Sequence, residues 1–183
     1  MNSSQSDVIF KICIFGDGGV GKSTLVKRYL SGLFDESTSM TIGLDCYSKK
    51  LEFKDITVSL QIWDFAGEKR FRFLLPSYVS GASGGIFMYD ITRTTSLNNF
   101  TDWLNVFRNG FNVKNHETKL PIMMVGGKLD LSEKRSIPRK FAEEIVENEN
   151  LFSYIECSAK TGENVEDIFQ EIAKYLLILA KIH

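Results

Sequence analysis

The residues whose spacing carries the most chemistry are Gly16-Asp17-Gly18-Gly19-Val20-Gly21-Lys22-Ser23. They match G-x-x-x-x-G-K-[ST], which cradles phosphate when a strand feeds it and a helix leaves it. Both conditions are met on paper. Val8 to Phe15 is an apolar, β-branched run that reads as a buried strand, and Thr24 to Leu30 reads as a helix. Glycines let such a loop close into a concave nest of inward N–H groups, and the helix N-terminus adds unpaired donors and partial positive charge. Gly18, Gly19, Val20, Gly21 and Thr24 are the expected backbone contacts. Lys22 would reach the β- and γ-phosphates, and the Ser23 hydroxyl would take a Mg²⁺ position. The motif implies a nucleotide triphosphate.

Three further clusters fall after apolar, strand-like runs. Trp63-Asp64-Phe65-Ala66-Gly67-Glu68 ends one of them. Asp64 suits a second Mg²⁺ anchor acting through water, and Gly67 could bring a bare backbone N–H to the γ-phosphate because no Cβ blocks it. Lys128 and Asp130 follow the run Pro121 to Gly126, and Ser158-Ala159-Lys160 follows Phe152 to Cys157.

The elements that must position these groups alternate along the chain. Leu44 to Phe53 and Ile56 to Asp64 read as strands joined by Lys54-Asp55, short enough for a hairpin. Phe71 to Ser80 suggests a short helix and Gly84 to Asp90 a buried strand. Ser96 to Phe111 carries Leu97, Phe100, Leu104 and Phe107 at helical spacing, with Trp103 beside them. Pro138 opens a helix running to about Glu149, and Val165, Ile168, Phe169, Ile172 and Leu176 mark a terminal helix. Strands that return through helices predict an α/β fold, a parallel sheet covered on both faces with one antiparallel edge strand from the hairpin. Ligands of such sheets sit beyond the carboxyl ends of the strands, where all four clusters fall.

Bulk properties narrow the function. The chain has 183 residues, 43% apolar and 25% charged, which fits one domain over 8–182 behind a flexible lead at 1–7. A net charge of −1 gives no electrostatic reason to bind nucleic acid or an anionic membrane. Cys13, Cys46 and Cys157 form no metal-spaced pair and no even disulfide set, which suits a reducing cytoplasm. Residues 1–7 lack the apolar core of a signal peptide. Position 2 is Asn2 rather than the glycine that myristoylation needs, and no cysteine near the C-terminus offers a prenylation site. The expectation is a soluble, cytoplasmic monomer with no membrane anchor.

The segments Thr41-Ile42-Gly43-Leu44-Asp45, Leu60-Gln61-Ile62-Trp63-Asp64, Arg70-Phe71-Arg72 and Met88-Tyr89-Asp90-Ile91-Thr92, together with the phosphate loop, resemble the Rab branch of the Ras superfamily of small GTPases. The resemblance covers nearly the whole chain. It implies a P-loop G domain with a six-stranded sheet, five helices and two switch loops, Asp35 to Thr41 and Gly67 to about Ser80. It also implies that GTP and GDP are bound with Mg²⁺, and that exchange factors, GTPase-activating proteins and effectors are partners. By this likeness Thr41 ligates Mg²⁺ and touches the γ-phosphate, and Phe34 packs edge-on against guanine. Asp130 accepts from guanine N1 and N2, Lys128 lies along base and ribose, and the Ala159 N–H donates to O6. Lys22, Thr41, Gly67 and Glu68 would serve hydrolysis, with Ser158 and Lys160 completing the base site.

Two positions depart from the pattern. Gly127 stands where the family has asparagine, which predicts weaker nucleotide binding with guanine selectivity kept, the loss recoverable by Gly127→Asn. Glu68 stands where the family has its catalytic glutamine, and an ionised glutamate can accept hydrogen bonds but not donate them. Arg70 and Arg72 read as facing solvent on the second switch, so slow turnover without a partner's arginine is expected, with Gly18 leaving room for it. These departures and the missing terminal cysteine resemble the Ras-like GTPases of archaea. Two alternatives stay open: a guanine-nucleotide scaffold that barely hydrolyses, and an ATP-using nucleotide kinase, which the lack of an arginine-rich lid disfavours.

Overall fold

The computed structural model describes residues 6–37, 40–112 and 120–182. Six strands form one sheet in the order β2-β3-β1-β4-β5-β6. They are β1 (Ser6–Phe15), β2 (Leu44–Phe53), β3 (Ile56–Phe65), β4 (Gly84–Asp90), β5 (Ile122–Gly127) and β6 (Ser153–Glu156). Every neighbouring pair is parallel except β2 with β3, the hairpin at the edge. The expected strand boundaries hold to within two residues. β1 begins at Ser6, because Ser6 and Asp7 pair with Ile56 and Thr57 of β3. Only residues 1–5 of the lead expected at 1–7 lie outside the described residues.

Five α-helices occur among the described residues: α1 (Lys22–Ser31), α2 (Leu75–Val79), α3 (Phe100–Asn112), α4 (Arg139–Glu149) and α5 (Val165–Leu179). On one face of the sheet, α1 and α5 bury Leu25, Val26, Ile168 and Phe169, with Tyr29 stacked on Phe169 at 3.8 Å between ring centres. On the other face, Phe15, Phe87, Trp103 and Phe107 form an aromatic core beneath α3. Burial on both faces explains why β4 and β5 are apolar throughout rather than alternating.

Two helices differ from the sequence expectation. The segment expected as one helix over Phe71 to Ser80 is a 3-10 turn, Lys69–Leu74, followed by the single short helix α2. Pro76 accounts for the break, since its ring would meet the Arg72 carbonyl in a continuous α-helix. The helix expected from Ser96 begins at Phe100. Ser96 instead accepts from the Asp90 N–H at 3.1 Å and donates to the Arg93 carbonyl at 2.6 Å, holding a 3-10 turn over Thr94–Leu97. No helix among the described residues is long and apolar enough to cross a membrane.

The sheet order reverses between β1 and β4. The left-handed glycines Gly16 (φ +138°), Gly19 (+73°) and Gly21 (+105°) turn the chain from β1 into α1 at that point. At Gly16 the fit is tightest: a Cβ would fall 2.1 Å from the Met88 carbonyl oxygen.

Candidate functional site

A cleft of about 470 Å³ opens beyond the carboxyl ends of the strands. Its floor is Gly18 through Thr24, and its rim carries Phe34, Thr41, Gly67, Glu68, Lys128, Asp130, Ala159 and Lys160. Nearly all the sequence-predicted residues therefore meet in one place, although they come from separate segments of the chain. Two predicted contacts lie one layer back. Asp64 is fully buried beneath Ser23 and Thr41, and Ser158 is fully buried beneath Asp130.

At the phosphate end, the Lys22 ammonium donates to the carbonyls of Gly16 at 2.8 Å and Asp17 at 2.9 Å. Burial pulls its pKa down to about 8, against the opposing pull of Asp64 and Asp17. Ser23 Oγ lies 2.6 Å from Thr41 Oγ1 and donates to Asp64 Oδ2, which Thr41 also approaches at 3.5 Å. Burial raises the Asp64 carboxyl, while the Ser23 hydroxyl and Lys22 hold it down. Gly67 lies directly on the phosphate loop: a Cβ there would fall 2.3 Å from the Gly18 nitrogen. Only glycine fits that approach. In the segment expected as the first switch, residues 38–39 lie outside the described residues.

At the base end, Asp130 lines the cleft and its Oδ1 accepts from Ser158 Oγ at 2.6 Å. The Lys128 ammonium pairs with Asp90 at 2.6 Å. The turn after Asp130 is locked to β6 by Arg135, whose two terminal nitrogens each lie 2.7 Å from a Glu156 oxygen. Tyr154 adds its hydroxyl to the same carboxylate. Burial alone would raise Glu156, but Arg135 and Tyr154 overcome it and hold the carboxyl below its ordinary value of 4.5.

Sequence reasoning missed a second set of groups. Arg72, expected to face solvent, is only 14% exposed and pairs with Asp17 Oδ1 at 3.2 Å. Its guanidinium lies 4.3 Å above the Trp103 ring. Trp103 Nε1 donates to the same Asp17 oxygen at 2.8 Å, and Asn99 to the other at 3.0 Å. Asp17 thus fastens the phosphate loop to the 3-10 turn Lys69–Leu74 and to α3 together. The expectation failed because the Arg72–Asp17 pair spans 55 positions. Arg93 likewise reaches 75 positions to donate to the Gly18 carbonyl at 2.7 Å. Asp17→Ala strips Trp103 and Asn99 of this acceptor, leaves Arg72 only the 3.7 Å pairing with Asp102 among the described residues, and should cost about 2 kcal/mol. For a chain of this size that is a melting-temperature loss of roughly 4–8 °C, measurable by thermal unfolding at a fixed nucleotide concentration.

A phosphate loop between β1 and α1, with carboxylates at the ends of β3 and beyond β5, defines a P-loop nucleotide-binding α/β protein. The sequence profile of the Ras family matches residues 11–178. The chain is 40% identical to the Ras-related protein Rab-11C of Dictyostelium discoideum over 168 residues, covering 92% of this chain and 72% of that protein. It is 38% identical to the Ras-related protein Rab-30 of Homo sapiens over 181 residues, covering 99% and 86%. The Ras-related protein Rab-1 of Theileria parva is 39% identical over 173 residues, covering 94% and 76%. The chain belongs to the Ras family and is a Rab-like small GTPase: a guanine-nucleotide-binding switch protein that hydrolyses GTP.

Proposed function

We propose that residues 8–182 act as one G domain in which Mg²⁺·GTP orders two switch loops and slow hydrolysis releases them. The observation that carries this is the meeting of Ser23 Oγ, Thr41 Oγ1 and the Asp64 carboxylate above buried Lys22. Asp64 Oδ1 is buried and has no hydrogen-bond partner among the described residues. Two hydroxyls and a buried carboxylate are a hard-oxygen set suited to Mg²⁺. The ion would be held by Ser23 and Thr41, with Asp64 behind, and when bound it supplies charge neutralisation on the phosphates. Lys22 and the N–H groups of Gly18 to Thr24 hold the phosphates, while the Gly67 N–H faces the γ-position. Phe34, Lys128, Asp130, Ala159 and Lys160 hold the base and ribose, and Ser158 orients Asp130.

Glu68 is the candidate that positions the attacking water. Its carboxylate is forked by Arg70, with Oε2 2.6 Å from Nε and Oε1 3.2 Å from a terminal nitrogen. That pairing offsets the repulsion between a glutamate and an anionic γ-phosphate, so Arg70 acts through Glu68. Single-turnover GTP hydrolysis tests both roles. Arg70→Ala should slow it by about three- to ten-fold, less than the loss of a complete general base, and Arg70→Ala with Glu68→Gln should recover the rate. If Glu68→Ala hydrolyses GTP as fast as the native chain, Glu68 has no part in the chemistry.

Effectors and regulators are proposed to dock on the switch face, where Met40, Ile42 and Phe73 are exposed, Phe73 by 75%. Trp63 is half-covered there, with the Lys11 ammonium 3.6 Å above its ring. Exposed Phe73 therefore makes the stronger anchor. Buried free thiols at Cys13 and Cys157 support a cytoplasmic site of action, and a monomer is the proposed state. Gly127 and Glu68 are the residues that support an archaeal-like branch.

A further inference from the structure

Gly127 and Met88 meet at the seam between the base-reading loop and the phosphate loop. A Cβ on Gly127 would fall 2.5 Å from the Met88 methyl carbon and 3.1 Å from the Val20 carbonyl oxygen. The same methyl carbon lies 3.5 Å from the Cβ position of Gly21, and Met88 forms part of the cleft wall. The space that a side chain at 127 would use to reach the phosphate loop is therefore filled from β4 by a thioether. A thioether donates no hydrogen bond and accepts only weakly, but it packs adaptably into irregular gaps.

The geometry points to Met88 and Gly127 as a coupled pair in which apolar packing replaces a polar tie between the two loops, so that guanine nucleotide leaves faster than it would from a chain holding that tie. This rests on the reading of the cleft as a guanine-nucleotide site. The base-reading loop keeps other anchors: Lys128 to Asp90 at 2.6 Å, the Leu129 N–H to the Cys157 carbonyl at 2.9 Å, and the Ile91 N–H to the Gly127 carbonyl at 3.2 Å. These anchors run to β4 and β6 and the residues just beyond them, not to the phosphate loop. Interactions lost at a binding site show mainly in the dissociation rate. Asp130 is untouched by the exchange, so base selectivity and bound lifetime are set by different residues here.

The pair predicts, against the expectation from sequence, that Gly127→Asn alone will not restore the tie. The new side chain displaces the Met88 methyl, and the open side available to Met88 is the cleft it already lines. Restoration requires both positions. Valine at 88 shortens the side chain while keeping a buried strand residue.

The test is release of N-methylanthraniloyl-GDP into excess unlabelled GDP at fixed Mg²⁺, from the native chain, Gly127→Asn, Met88→Val and the double variant. One or two recovered hydrogen bonds correspond to a release about ten-fold slower in the double variant. Gly127→Asn alone is expected to be no slower than native, and Met88→Val, which adds no hydrogen-bonding group, no slower either. Competition by ADP should be equally poor for all four, and thermal melting of each reports folding separately. If Gly127→Asn alone slows release as much as the double variant, or if the folded double variant releases as fast as native, the coupling is wrong. If no folded chain binds the labelled GDP, the nucleotide reading fails, and this inference with it.

Discussion

Asp130→Ala is expected to abolish the preference for guanine over adenine. On the proposed reading of the cleft, the Asp130 carboxylate would accept both guanine N1–H and the N2 amine, and Ser158 Oγ holds it in position at 2.6 Å. Hydrogen bonds to a charged acceptor are worth about 1.5–3 kcal/mol each, so losing two should weaken GTP binding by roughly two to four orders of magnitude. ATP suffers no matching loss, because adenine presents no donors there. Discrimination by polar groups that would otherwise stay unpaired is the strongest kind available to a site. Competition of labelled GDP by GTP and by ATP, compared between native and variant chains, measures the change directly. An unchanged GTP-to-ATP ratio would show that Asp130 does not read the base. Ser158→Ala, which leaves Asp130 in place but frees it to turn, should cost about ten-fold in GTP affinity.

The largest effect on stability is expected from Arg135→Ala. Glu156 is 3% exposed and receives both terminal nitrogens of Arg135 at 2.7 Å. Removing one partner of a buried pair leaves an uncompensated charge and typically costs about 3–5 kcal/mol. Arg135 is partly exposed, so about 3 kcal/mol is the expected loss, or roughly 6–12 °C in melting temperature. The Arg135→Ala, Glu156→Gln double variant removes the buried charge and should regain at least half of that. Since Arg135 follows the Asp130 turn and Glu156 precedes Ser158, nucleotide affinity should fall with stability. The pair also sets an acid limit. Because Glu156 titrates lower in the folded chain than its ordinary 4.5, its contribution is complete above that value. It is lost as pH falls through the lower folded value. Acid unfolding of native protein should therefore be steeper below pH 4.5 than that of the double variant. Coincident acid-unfolding curves would remove Glu156 from the account.

Much of this protein is legible in the order of its residues. The phosphate loop declares itself because eight consecutive residues, Gly16 to Ser23, carry the glycines, the lysine and the hydroxyl that the chemistry needs. Strands and helices declare themselves through local periodicity, and the carboxyl-end rule then gathers Asp64, Lys128, Asp130 and Ala159 around that loop. The boundaries that moved did so for local reasons: Pro76 divides the segment from Lys69 to Val79, and Ser96 diverts its hydroxyl to backbone groups.

What the tertiary structure alone decided is which distant side chains answer one another. Arg72 has the character of a surface residue until α3 brings Trp103 and Asn99 to the same Asp17 carboxylate. Gly127 reads as a simple loss of an amide until β4 places the Met88 methyl in the vacated space. Glu156 carries no signal until Arg135 folds back onto it. Motif and periodicity are short-range properties of the chain, so the sequence by itself determined the class of site and the elements that frame it. Pairing across a sheet depends on packing between segments far apart in the chain, and only the folded molecule selects those partners.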